Sequence, residues 1–438
     1  MSPDAVLPIP RGGSSSTHFY VRLQFRIIVP QFSKYLPKLP RSLWEHDQMA
    51  RLRQGAIFLA LCLAMVFAGV TAGATNKSPD RKARRVLDAA GVRGGLVVHL
   101  NCGGGELTAA LRAGSGFVVR GLERDKEQVR KAREYIRSRG LYGDVSVTHW
   151  RADALPFPAN LVNLVVCEGG APVPMGEIMR VLAPEGVVCM RRDGRWHTKR
   201  KAWPRDIDEW THFLHDSSNN AVADDSRVGP PRRLQWKAPP AWCRSHEFPS
   251  SVQALVSAEG RIFGIIDRGV IGQPRGVPAQ WTLVARDAFN GLLLWNRPVS
   301  RSGPRTLVAA GDKLYVTLKR GAPVSILDAT TGSVVGTCEE TKGTRGIVFS
   351  GGTVFCRGVN NRKQRRSGEK GQFVVAADGN TGEALWKQWV DSIGSNTLAV
   401  RNGRVCYQAG NNLVCRRARD GEKLWQASCG GTTYTGMH

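Results

Sequence analysis

Four glycines in the C-terminal half of this chain, Gly291, Gly332, Gly382 and Gly421, close copies of one short pattern. In full it reads Asp-x-x-Asn/Thr-Gly, with Trp four residues after the glycine, as in Asp287–Trp295 and Asp378–Trp386. The second copy carries Gly336 at the Trp position, and the fourth puts its acid at Asp420 and ends on Trp425. The glycines are 41, 50 and 39 residues apart. A repeat of that length is one four-stranded antiparallel unit that must stack on copies of itself to bury both faces. Between the anchors, alternating segments meet at turn dipeptides, Gly311-Asp312 and Asn402-Gly403, which predict hairpins. A further hairpin is predicted over 252–266. Residues 246–438 therefore read as propeller blades, with each Trp packed against a neighbouring blade. With four anchors, the ring reads as incomplete, since closed propellers have typically 4–8 blades.

The preceding region has a different grammar. Leu96-Val-Val-His-Leu100 is an apolar strand that runs into Asn101-Cys-Gly-Gly-Gly105 and then a helix over 106–113. A glycine-rich strand-to-helix turn lets backbone approach a ligand and points helix N–H groups at it. The next strand, 117–122, ends in Glu123, placed to take the hydroxyls of a ribose. An amphipathic helix over 126–139, a strand over 145–150 and the segment Ala152-Asp153-Ala154 follow. A buried strand over 161–166, a short helix over 177–186 and a fifth strand over 187–190 complete the set. Residues 80–195 thus read as an α/β Rossmann-like domain.

In order and spacing, residues 83–192 resemble the class I S-adenosylmethionine-dependent methyltransferases. His99-Leu-Asn-Cys-Gly-Gly-Gly105 stands at the family's D-x-G-x-G-x-G loop, and Glu177–Gly186 follows its E-I-x-R-V-L-x-P-G-G segment. The resemblance implies an S-adenosylmethionine site formed by Asn101, Gly103, Gly105, Glu123, Asp153 and Ala154, with Glu123 on the ribose and Asp153 on the adenine amine. It also shows departures. His99 replaces the loop's acid and Asn101 its first glycine, only eight residues separate Glu168 from Glu177, and no counterpart of the family's final hairpin is evident. That hairpin forms the acceptor wall in relatives, and methyl transfer depends mostly on aligning donor with acceptor. The expectation is a degenerate cofactor-type domain, with a working methyltransferase as the alternative.

The repeats in turn resemble those of pyrroloquinoline-quinone (PQQ) dehydrogenases and of the BamB-like propeller lipoprotein of outer-membrane assembly, which carries no cofactor. Quinone binding in the dehydrogenases uses adjacent cysteines and a calcium site. This chain has no adjacent cysteines and no evident carboxylate set, so PQQ is not expected and a quinone-dependent oxidoreductase is the third reading.

Residues 196–245 connect the two regions. Asp208, Glu209, His212, His215 and Asp216 cluster within them. On a helix, His212 and His215 would share a face with Asp208, a partial metal-binding set. Without a fixed third ligand, a structured linker is the expectation and no metal is assigned. The stretch resembles the junction before propeller repeats in a family of large exported bacterial proteins.

Lys and Arg number 62 against 36 Asp and Glu, a formal charge of +26, which favours anionic partners. No basic helix face or aromatic-studded basic motif points to specific nucleic-acid recognition. The one dense basic run, Arg362 to Lys370, reads as a solvated loop. The ten cysteines form no CxxC pair, and several alternate with apolar residues in strands as buried thiols do. Residues 55–70 (GAIFLALCLAMVFAGV) are uncharged and apolar, with Arg51 and Arg53 before and Ala72-Gly-Ala74 after. Counted from Met49, this is the order of a secretory signal, and residues 1–48 read as a non-native or disordered extension. As an anchor, 55–74 is long enough to contact and span a membrane. The expected location is periplasmic or secreted. The expected role is a cell-envelope binding or scaffold protein whose propeller meets an envelope protein or an anionic polymer.

Overall fold

The computed structural model describes residues 77–227, 229, 234–240, 251–269, 279–301, 303–360 and 371–429. The extension, the signal or anchor segment and the basic run at 362–370 lie outside the described residues. Among those described, no helix is long and apolar enough to cross a membrane.

The first region is a three-layer α/β fold. Helix α1 (Lys77–Ala90) precedes β1 (Gly95–Leu100), α2 (Glu106–Ala110), β2 (Phe117–Glu123), α3 (Lys126–Ser138), β3 (Val145–His149), β4 (Val162–Cys167), α4 (Met175–Val181), β5 (Leu182–Arg192) and β6 (Arg195–Arg200). The sheet order is β3-β2-β1-β4-β5-β6. The first five strands are parallel and β6 is antiparallel to β5. Every residue of the central strand β1 is buried, as a strand covered on both faces requires. Helix α3 buries Val129, Ala132 and Ile136 along one stripe. It starts on Asp125, whose carboxylate accepts from the amides of Glu127 and Gln128.

Three expectations are corrected here. The domain does not end at its fifth strand: Asp193 and Gly194, both in the left-handed region, turn the chain into β6. The segment read as a helix over 177–186 is helical only to Val181, and Leu182 to Gly186 belong to β5, which bulges opposite β4. The helix after the glycine loop spans five residues, Glu106–Ala110.

The second region consists of four antiparallel four-stranded blades. They are β7 (Val252–Ala258), β8 (Arg261–Asp267), β9 (Trp281–Asp287) and β10 (Leu293–Pro298); β11 (Leu307–Ala310), β12 (Lys313–Val316), β13 (Val324–Asp328) and β14 (Val334–Cys338); β15 (Thr344–Ser350), β16 (Thr353–Val359), β17 (Gln372–Asp378) and β18 (Ala384–Val390); and β19 (Ala399–Arg401), β20 (Arg404–Ala409), β21 (Asn412–Arg417) and β22 (Lys423–Ser428). Side chains alternate across each blade, so every core forms between neighbours. Val354, Cys356, Phe373 and Val375 face the second blade, while Phe355, Val374 and Ala376 face the fourth.

The repeated turn explains the spacing of its residues. Asp287, Asp328 and Asp378 each accept from the amides two and three residues on, and the glycine amide donates back to the Asp carbonyl. Each anchor glycine has φ between 72° and 80°. Trp295 lies over Gly332 of the next blade, and Trp386 lies over Gly421. Their indole N–H groups donate to the carbonyls of Ala329 and Ala418. Trp236, a connector residue, takes the same place on Gly291 and donates to Ala288. The second blade, which lacks the Trp, reaches the third differently: Tyr315 stacks on Phe349 at 4.8 Å and donates to the Gly379 carbonyl.

The connector is not helical. His212 and His215 form an isolated antiparallel bridge, and the connector meets the first strand of each blade in turn. Ser257 donates its amide to the Trp210 carbonyl, Ala309 to Thr211, Phe349 to the His212 ring and Val400 to Ser217. One amide on each of β7, β11, β15 and β19, the edges that a propeller leaves unpaired, is satisfied this way.

Candidate functional site

The candidate site lies at the C-terminal ends of β1, β2 and β4, where open parallel sheets bind ligands. Asn101, Gly103 and Gly105 all have positive φ, at 51°, 55° and 90°. Three of the loop's amides are bonded within the protein: Cys102 to the Leu122 carbonyl, Gly103 to Glu123 and Gly105 to the Cys102 carbonyl. A side chain on Gly103 would meet nothing within 4 Å, so its surroundings are open. Gly105 answers to packing: a Cβ there would come within 2.9 Å of Ala132 on α3.

Glu123 is buried at the tip of β2. Its carboxylate accepts from the amides of Gly103 (2.8 Å), Arg124 (2.7 Å) and Asp125 (3.1 Å). It therefore ties loop to strand and keeps one of its roughly four acceptor positions open. Asp153 is exposed, and its carboxylate makes no hydrogen bond to any described residue. Ala154 accepts the indole proton of Trp150 at 2.9 Å, and the Trp150 amide bonds to the Glu123 carbonyl. The structure thus ties the β3 loop to the tip of β2. The Glu-Ile-x-Arg segment acts as a clamp on the same loop: Glu177 accepts the Leu155 amide, while Arg180 donates to the Leu155 and Phe157 carbonyls.

The floor holds three residues that the sequence reading did not assign to the site. His99 is buried, hydrogen-bonded through Nδ1 to Thr108 at 2.9 Å, and its Nε2 lies 3.9 Å from Glu168 without a hydrogen-bond partner. Burial pushes its pKa down to about 4, so the ring is neutral. Glu168, at the end of β4, is paired with Lys82 from α1. Where the family loop carries an acid, this floor offers a neutral imidazole and a carboxylate already neutralised. A cationic methyl donor gains little electrostatic attraction from that arrangement. Cys102 is an inert neighbour, its thiol pushed up to about 12 by burial.

Among the described residues, the blades meet the α/β region at the opposite edge, where β1 and β4 begin. Asn163 accepts the Leu96 amide at 2.7 Å, donates to Asp287 at 2.6 Å and accepts from Asn290 at 2.8 Å.

The connector histidines are committed elsewhere. His215 pairs with Asp208 at 2.7 Å, and His212 bonds to Thr211 and to the Phe349 amide. Among the described residues no three His, Cys, Asp or Glu side chains form a metal-binding group.

A second feature lies on the propeller, where two cavities of about 560 and 550 Å³ share Arg320, Gly321, Thr344 and Arg345. Glu339 and Glu340 on the rim are paired with Lys342 and Lys387. Arg301, Arg320 and Arg345 have no carboxylate partner among the described residues. Lys387 lies 4.8 Å over Phe373 and 5.2 Å over Trp389.

Residues 97–186 match the family model of a methyltransferase domain, and residues 320–437 match that of the outer membrane protein assembly factor BamB. The chain is 34% identical over 113 residues to the ubiquinone/menaquinone biosynthesis C-methyltransferase UbiE of Yersinia enterocolitica, covering 24% of this chain and 45% of that relative. It therefore spans about half the length of the curated relative it matches. Among solved structures, it is similar to a SAM-dependent methyltransferase from Aquifex aeolicus, with 22% identity over 25% of this chain and 66% of that one, at a TM-score of 0.23. It is also similar to the geranyl diphosphate C-methyltransferase of Streptomyces coelicolor, with 18% identity over 25% of this chain and 44% of that one, at a TM-score of 0.24.

Proposed function

We propose that this chain is a binding and scaffold protein of the cell envelope whose propeller captures an anionic polymer, while its methyltransferase-like domain is a rigid module with a degenerate donor site. The observation that carries the reading is the groove around Arg320 and Arg345. Its acids are neutralised by its lysines, three arginines are left over, and aromatic rings lie on one wall. Repeated negative charge along a polysaccharide complements such a groove. The match to an outer membrane assembly factor supports an envelope setting, as does the signal-like order of residues 49–74. Titrating the full chain with polygalacturonate tests the reading. Saturable binding that weakens with salt and is not reproduced by neutral dextran is expected. Capture of an envelope protein with no response to polyuronate would replace the polymer by a protein partner.

A second reading, S-adenosylmethionine binding with methyl transfer, is favoured by one observation: the open space above Gly103 beside a Glu123 carboxylate that still has an acceptor position. Here Asn101, Gly103 and Gly105 would cradle the donor, Glu123 would take the ribose, and Asp153 and Ala154 would meet the adenine. The donor supplies the electrophilic methyl group, and the chain's own residues would supply only its orientation. Calorimetric titration with S-adenosylmethionine tests it. Micromolar binding lost in Asp153→Ala would establish the site, whereas no heat from folded protein would leave the domain as scaffold.

A further inference from the structure

Beneath the connector, at the inner edges of the second, third and fourth blades, lies a cavity of about 30 Å³ lined by Arg305, Arg357, His212, Asp216, Asn219 and Asn396. We propose that this cavity binds one small inorganic anion of chloride size, held between the guanidinium groups of Arg305 and Arg357. The inference is independent of the polymer groove.

The two arginines reach the cavity by specific means. Arg357 sits on β16 opposite Gly346 of β15, at a register shift between those strands. A Cβ on Gly346 would lie 3.1 Å from the Arg357 Nε. The glycine therefore lets the arginine pass over β15 to the cavity, which both residues line. Arg305, just before β11, lies 4.6 Å over the ring of Phe213, a connector residue. Neither has a carboxylate partner or a side-chain hydrogen bond among the described residues. Arg357 is 8% exposed, and the Arg305 Nε is buried without a partner.

A buried cation beside a second, partly buried one on the same cavity is unfavourable unless a counter-charge joins them. Asp216 lines the cavity, but its Oδ1 is turned onto the amide and hydroxyl of Ser218. Burial, with Arg305 and Arg345 nearby, pushes the Arg357 pKa down to about 10, the direction expected of a cation held without its counter-ion. The volume, about that of one or two waters, suits an ion of chloride size.

Two measurements on the full chain test the proposal. In crystals soaked in bromide, an anomalous peak is expected within hydrogen-bond distance of both guanidinium groups; its absence would overturn the proposal. In solution, exchanging gluconate for chloride at constant ionic strength should raise the Tm by on the order of 5 °C, by mass action on the folded state. Arg357→Met should abolish the difference between the two salts. Equal Tm in both salts for the unaltered chain would count against the site, and the bromide experiment decides the matter even where Arg357→Met fails to fold.

Discussion

The indole of Trp295 covers Gly332 of the following blade so closely that a Cβ on that glycine would lie 2.7 Å from the ring. The same relationship joins Trp386 to Gly421 and Trp236 to Gly291. The recurring Gly and Trp are thus two halves of one joint between successive blades. Gly332→Ala meets both the ring and a φ of 72°, so a loss of about 2–4 kcal/mol is expected by thermal denaturation. Trp295→Ala should cost a similar amount. Trp425→Ala, at a residue 42% exposed, should cost less than about 1 kcal/mol.

The two regions are joined through Asn163, which serves a strand amide, an aspartate and a second asparagine at once. Gly95 makes room for it, since a Cβ there would lie 2.2 Å from the Asn163 Oδ1. Asn163→Ala should cost about 2–4 kcal/mol, because a buried amide and the buried Asp287 lose partners. The expected calorimetric signature is a single transition splitting into two as the α/β region melts apart from the blades.

Stability should fall as the solution is acidified from pH 6.5 towards pH 4. His99 and His212 have folded pKa values depressed from 6.5 to about 4, in each case first by burial. In that window the unfolded chain binds more protons than the folded one, so stability rises with pH there and is fully present above 6.5. His212 makes the reason visible: its Nε2 accepts the Phe349 amide and must be unprotonated to do so. Each histidine should remove on the order of 2 kcal/mol at pH 5. A His212→Gln chain measured by denaturant melts at pH 5 and pH 7 should show a smaller difference between the two.

Glu123 and Asp153 separate structure from ligand binding. Glu123→Ala releases three amides and should destabilise the α/β region by about 2–3 kcal/mol. Asp153→Ala touches no described partner and should leave the Tm unchanged. An effect of Asp153→Ala on nucleoside binding, read by calorimetry, would then belong to the ligand alone.

The sequence carried the repeats because turn chemistry and spacing are local: Asp, Gly and Trp recur within nine residues. It carried β1 to β5 because central strands are uninterrupted apolar runs. It hid β6, whose residues Arg195–Arg200 contain no aliphatic side chain and whose only local signal is Asp193-Gly194. It could not fix the connector's conformation: His212 and His215 sit at a spacing that also suits a helix, whereas bonds from Trp210, Thr211, His212 and Ser217 to four separate blades decide it. The Glu177–Arg180 pair was visible as a motif, but its grip on Leu155 and Phe157 was not. Lys82, His99 and Glu168 meet only through folding, the ion pair's partners being 86 positions apart, so no pattern along the chain could join them.

The most direct test of the proposed role is the equilibrium affinity of the full chain for polygalacturonate, measured across a salt series with the unaltered protein and with an Arg301→Ala, Arg320→Ala double variant. Both arginines lie on the groove and neither lines the axial cavity. The account predicts that the double variant binds at least tenfold more weakly at low salt, with a shallower salt dependence and an unchanged Tm. Equal affinity and equal salt dependence in the two proteins would contradict it.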